Sequence, residues 1–215
     1  MHNRIMLAQA AKLNGDAPGT YRSMVSQHLQ HVGVRQGRDR WVNFPETTLL
    51  RIMTELNTGN LNLIRSAERA VQLLPYLGDI AADRLGSDGR EVFACHLWGQ
   101  VDGEERVAGY ICDGSDLLLR CIKSAVEKRW PNMRVLNLTR LVLETQIGWA
   151  LATQGEYGKA LVMSTLDDNA TADERQAAFA LVAEIERRLT GERRGEPVAN
   201  DYWKRWEEPP PVAAA

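Results

Sequence analysis

Apolar residues at Ile5, Leu7, Ala8, Ala11 and Leu13 recur every three to four positions, a period that predicts a short amphipathic helix. Asn14-Gly15 ends it, and Pro18, tolerated in a first helical turn, opens a second helix. That second helix would bury Tyr21, Met24, Val25 and Leu29 and turn Thr20, Arg22, Ser23, Ser26 and Gln27 outward. From Val32 to Phe44 the helical period stops. Gly33 and Gly37 permit a turn there, and Trp41 and Phe44 can anchor a short strand pair, so Arg35, Arg38 and Arg40 would project from a small loop. Helical spacing returns from Pro45 to Leu56, through Leu49, Ile52 and Met53, and closes at Gly59. Asn62 to Leu74 forms a further helical pattern that Pro75 is expected to interrupt, with a turn or two more between Tyr76 and Leu85.

The stretch Gly86 to Arg90, GSDGR, is a break in this pattern and reads as a domain boundary. Beyond it, Val92 to Trp98 and Val107 to Cys112 are apolar runs separated by Asp102-Gly103, which predicts a hairpin. Ser115 or Asp116 can cap a helix reaching Arg129, Pro131 stops it, and Met133 to Leu138 reads as a third strand. A helix over Thr139 to Gln154, a weaker strand over Lys159 to Thr165, and a helix over Thr171 to Thr190, with Thr171 and Glu174 as a capping pair, complete the pattern. The expected fold class is therefore α+β. An all-α first domain (residues 1–86) would precede a smaller mixed domain (90–190), followed by a largely disordered tail (191–215) whose Tyr202, Trp203 and Trp206 could dock somewhere.

Two helices joined by a tight Gly-containing turn, the second with a polar and basic face, form a helix-turn-helix pattern. The first third of the chain resembles the MerR-like winged-helix regulators in the order and spacing of Ala11 and Gly15, Thr20 and Arg22, Arg38, Arg40 and Phe44, then Glu46, Leu49, Arg51 and Ile52, and finally Gly59 and Leu63. It departs from that family at Ser23-Met24, where an aromatic pair is common, and at Val42, often Arg. The resemblance implies a winged helix-turn-helix domain that binds double-stranded DNA and a transcriptional regulator acting as a homodimer. Thr20, Arg22, Ser23, Ser26 and Gln27 would make groove and phosphate contacts, and Arg35, Arg38 and Arg40 would clamp the backbone from the wing. The same arginines read alone could instead belong to a solvated loop and pair with Asp39 and Glu46.

Composition changes this picture in one respect. The net charge is only −2, but residues 1–60 hold seven Lys/Arg against four acids, so a basic head precedes an acidic body. Three unevenly spaced cysteines argue for a reducing compartment, and the absence of a long apolar run argues against a membrane span, so a cytoplasmic location is expected. Cys95 and His96 are adjacent, yet neighbours on a strand face opposite ways and cannot act as nucleophile and base. Cys112 and Cys121 have a spacing that metal-sensing relatives of the resembled family also use, but Cys121 falls within an apolar helical pattern. Phosphate-cradling Gly-rich loops, paired metal-binding histidines and a Gly-x-Ser-x-Gly elbow are missing, so neither an enzyme, a metal site nor a cofactor is expected. The second domain would serve dimerisation, an unknown effector or a protein partner. The competing reading is a non-enzymatic assembly adaptor of the phage-packaging type, and a non-catalytic ligand-binding protein stands third.

Overall fold

The computed structural model describes residues 4–57, 63–81, 85–86, 89–164 and 170–190. The expected disordered tail, the helix end at Gly59 and the strand end at Thr165 lie outside them. The chain is α+β, with seven helices and two three-stranded antiparallel sheets among the described residues. It divides into two compact units: residues up to Thr47 together with those from Glu144 onward, and Thr48–Leu143 between them. The expected boundary at Gly86 to Arg90 lies inside the second unit, and the observed divisions fall within α3 (Phe44–Asn57) and α6 (Leu138–Ser164).

The first unit begins with β1 (Ile5–Met6), α1 (Leu7–Leu13) and α2 (Pro18–Gln27), then β2 (Val34–Gln36) and β3 (Asp39–Val42), before α3. Its N-terminal part is thus not all-helical. Ile5, assigned by its spacing to the face of α1, is instead extended and pairs with Val42, so the sheet order is β1-β3-β2. A two-residue strand carries no alternation signal of its own, and its pairing with β3 is a non-local choice. Met6 serves as the residue before the helix, its N–H donating to Gln9 Oε1 at 2.8 Å. α1 and α2 pack through Ala10, Ala11, Leu13, Tyr21, Met24 and Val25, all buried. The turn between them is fixed from inside, because the buried Asn14 amide donates to Tyr21 Oη at 2.7 Å and to the Thr47 carbonyl at 3.2 Å.

The core of this unit is completed from the far end of the sequence. α7 (Ala172–Thr190) packs on α1 and buries Val182, Ile185 and Leu189. From α6, Ile147, Leu151 and Ala152 are buried, and Gly148 lies so close to α1 that a methyl group there would come within 2.5 Å of Leu13 Cγ. Phe44 meets Trp149 edge to face, centroids 6.0 Å apart. Gly155, at φ 58° and ψ −134°, breaks α6, close to the expected helix end at Gln154. The segment expected to be a strand from Lys159 is helical to Ser164, and Lys159 Nζ reaches the buried Glu186 of α7 at 2.9 Å. A short apolar run suits strand or buried helix equally, and here the neighbour is a helix. At the start of α7, Thr171 and Glu174 form the expected capping box: the Thr171 N–H donates to Glu174 Oε2 at 2.8 Å, and the Glu174 N–H to Thr171 Oγ1 at 3.2 Å.

In the second unit β4 (Val92–Val101) is central, with β5 (Glu104–Asp113) and β6 (Asn132–Asn137) antiparallel on either side. The hairpin turns at Asp102 and Gly103, both at positive φ, as the Asp-Gly pair predicts. α5 (Ser115–Glu127) packs on β4 and β5 and covers the sheet face that carries Cys95 and Leu97. α4 (Leu63–Ala81) passes through Pro75 without ending. Proline costs one backbone hydrogen bond, to Val71 here. Both residues are exposed, so water can satisfy the carbonyl released.

Glu46 ties the strand hairpin of the first unit to α3. Its carboxylate accepts the N–H of Gly33 at 2.9 Å and of Asn43 at 2.8 Å, and Arg4 Nη1 lies 3.3 Å away. Asn43 Oδ1 returns the bond by accepting the Glu46 N–H at 2.9 Å, a reciprocal cap on α3. Replacing Glu46 with Ala removes a helix cap, worth about 1 kcal/mol, and a charged acceptor, worth about 1.5–3 kcal/mol. The expected loss is about 2–4 kcal/mol in urea denaturation. Glu46→Gln, which keeps one acceptor, should lose less.

Candidate functional site

The side chains expected to meet DNA separate into two groups. Arg22, Ser23, Ser26 and Gln27 are exposed on α2, opposite its buried Tyr21, Met24 and Val25, while Thr20 in the first turn is half-buried. Ser26 Oγ donates to the Ser23 carbonyl at 3.0 Å, so that hydroxyl is satisfied within the helix. On the hairpin, Arg35 and Arg40 are directly opposite across β2 and β3, and Arg38 sits in the exposed turn beside Gly37. Like charges in register oppose each other and destabilise a strand pair. The structure relieves this by turning Arg40 away: its guanidinium donates to the carbonyls of Gln30 at 3.3 Å and Val32 at 3.0 Å, holding the loop that precedes β2. Gly33 in that loop has φ 77°, and any side chain there would meet the Trp41 carbonyl.

Arg22, Arg35 and Arg38 are therefore exposed cations with no hydrogen-bond or ion-pair partner among the described residues. Glu46, one of the two carboxylates that could have neutralised the hairpin arginines, is engaged by Arg4 and by backbone N–H groups instead. Asp39 is exposed at the register position opposite Gln36. Chemically, the surface offers unneutralised guanidinium groups on a short, well-anchored hairpin and a polar helix face.

A second concentration of polar chemistry lies in the other unit. Strand alternation sends Cys95 and His96 to opposite faces, as expected. Cys95 joins Cys112 and Cys121 in the core under α5, an association that sequence spacing did not show. Burial pushes the Cys95 thiol up to about 12 and the Cys112 thiol up to about 11, with Cys121 reinforcing both. Both thiols are then protonated at neutral pH and are poor nucleophiles. Among the described residues no group of three or more His, Cys, Asp or Glu side chains is arranged to hold a metal ion.

His96 faces the other way, towards α4, and is 6 % exposed. Burial, aided by the charge of Arg69, lowers its pKa to about 4, and its Nε2 has no hydrogen-bond partner. Around it is a cavity of about 440 Å³ whose lining includes Arg69, Leu73 and Tyr76 of α4, with Ile111 and Leu136 of the sheet. The sequence carries only a weak signal for this site: Arg69, Leu73 and Tyr76 recur at helical spacing on α4, and His96 is a polar residue within the apolar run Val92 to Trp98.

No protein-family model, no curated protein and no solved structure matches the chain. Among the described residues no helix is long and apolar enough to cross a membrane.

A depressed histidine pKa links stability to pH with a definite sign. Between about 6.5 and about 4 the unfolded chain holds a proton on His96 that the folded chain does not, so stability falls as pH drops through this window. The groups facing His96 are Arg69 and Tyr76 on α4 and Arg134 opposite it on β6, the last held by Glu55 at 3.2 Å. The full effect approaches about 3 kcal/mol near pH 4. Urea midpoints measured from pH 7 to pH 4 should fall accordingly, and the fall should be shallower in His96→Gln.

Proposed function

We propose that the chain is a DNA-binding transcriptional regulator, with residues from β1 to α3 acting as a winged helix-turn-helix of the MerR-like kind. What carries the reading is the set of exposed, unneutralised arginines on α2 and on the β2–β3 hairpin, following two helices locked at a tight turn. The order β1-α1-α2-β2-β3-α3 and the resemblance in residues 11–63 support it further. In this reading α2 enters the major groove of double-stranded DNA with Arg22, Ser23, Ser26 and Gln27, Thr20 contacts the phosphate at its N-terminal end, and Arg35 and Arg38 grip the backbone. Arg40 supports the hairpin from behind. A homodimer, which would double the contacts across a two-fold axis, completes the proposal, with the three free cysteines favouring a cytoplasmic setting.

Selection of bound sequences from a random DNA pool tests the assignment directly, since a regulator returns a motif. Recovery of no motif, with no affinity for any duplex, would move the phage-packaging-type adaptor to first place. The individual arginines separate further. Arg38→Ala should weaken binding to specific and random duplexes alike and lower the salt slope by about one unit. Arg22→Ala should cost ~1–3 kcal/mol of discrimination if its guanidinium reads a guanine. Arg40→Ala should lower the urea midpoint as well as affinity, because it frees two loop carbonyls. Wild-type binding by all three variants would exclude this surface.

A further inference from the structure

The sheet of the second unit has one face sealed and one face open. Under α5, Cys95, Leu97, Cys112 and Ala125 close a dry core. On the opposite face, α4 stands off the sheet and leaves the cavity of about 440 Å³, within the size range of small-molecule sites.

Its lining is divided by chemistry. Leu73, Ile111 and Leu136 give an apolar wall, and the polar residues of the lining include Arg69, Gln72, Tyr76, Tyr110 and His96. A buried polar atom without a partner is uncommon in folded proteins and costs stability, and His96 Nε2 is such an atom. Arg69 adds a guanidinium steadied on one side, where Nη1 donates to Gln72 Oε1 at 2.5 Å, leaving other N–H groups of its fork unused.

The charge count selects the ligand class. Arg134 shares the sheet face with His96, but its guanidinium is turned to Glu55, which also pairs with Arg51, and none of the three lines the cavity. Arg69 is the one charged side chain on the lining, with no ion-pair partner among the described residues, beside a neutral imidazole. One negative charge balances it, whereas a phosphate dianion would bring a second charge with no second cation on the lining to meet it.

We propose that this cavity binds a small organic monocarboxylate, with the carboxylate between Arg69 and His96 Nε2 and the apolar body against Leu73, Ile111 and Leu136. Arg69 supplies the charge-assisted hydrogen bond, and His96, as its Nε2–H tautomer, donates to the second carboxylate oxygen. The inference is independent of the DNA reading, because the site is complete within the second unit and its assay contains no DNA.

The test is isothermal titration of the full chain at pH 7.5 with octanoate, 4-phenylbutyrate and indole-3-acetate, each beside its neutral amide, and with inorganic phosphate. At least one acid should bind saturably with one site per chain, about tenfold or more tighter than its amide, as expected for a hydrogen bond to a charged group. Arg69→Gln, a change at a partly exposed position that leaves the fold intact, should reduce the acid to the level of its amide. Arg65→Gln, on the same helix but paired with Glu105, should leave binding unchanged. In nitrogen-15 spectra the His96 Nε2 signal should move with the acid and not with the amide. The proposal is overturned if no acid binds, if acids and amides bind equally, if Arg69→Gln binds like wild type, or if inorganic phosphate binds more tightly than every acid.

Discussion

A single carboxylate, Glu46, decides where the arginine-bearing hairpin begins and where it ends. It takes the N–H of Gly33 just before β2 and the N–H of Asn43 just after β3, so both feet of the hairpin are fixed to the first turn of α3. Arg4 closes the arrangement from in front of β1, reaching both Glu46 and the Trp41 carbonyl. An isolated two-stranded hairpin is marginal in water. Here its ends are anchored, and its tip carries Arg35 and Arg38, which no described residue neutralises.

Much of the local structure was readable from period and punctuation. The Asn14-Gly15 stop, Pro18 at a helix start, the Asp102-Gly103 turn and the Thr171–Glu174 cap each rest on backbone chemistry confined to a few residues, and each is present. The Asn43–Glu46 cap is less legible, because Phe44 and Pro45 between the two residues let the helix begin at either position. The long-range arrangement was not readable in the same way. An apolar stripe on α1 states that something must cover it, but Leu13 carries no mark that its neighbour is Gly148, more than a hundred residues later. The same generic character hid the strand role of Ile5 and the helical continuation after Lys159.

The two concentrations of polar chemistry differ in how far the sequence shows them. Arginines clustered around glycines in a short loop stand out in sequence, although only the structure separates Arg40, which holds the loop, from Arg35 and Arg38, which do not. The histidine cavity is assembled from two helical turns of α4 and three antiparallel strands, and none of its parts is distinctive alone. The cysteines show the same effect: residues at 95, 112 and 121 share a core only because β4, β5 and α5 stack there.

The division of the chain also sets a timetable for biosynthesis. The second unit is continuous in sequence and can fold once Leu143 has left the ribosome, whereas the first opens the chain and is finished only by α6 and α7. At roughly 5–20 residues per second, β1, α1 and α2 wait on the order of ten seconds with Leu13 and its neighbours uncovered. During that interval the nascent N-terminal segment is exposed to chaperones and proteases, and the arginine surface is presented on an incomplete scaffold. The arginine surface therefore rests on a unit that α6 and α7 complete, so a chain truncated before Glu144 would hold the whole of the later-encoded unit and only part of the first.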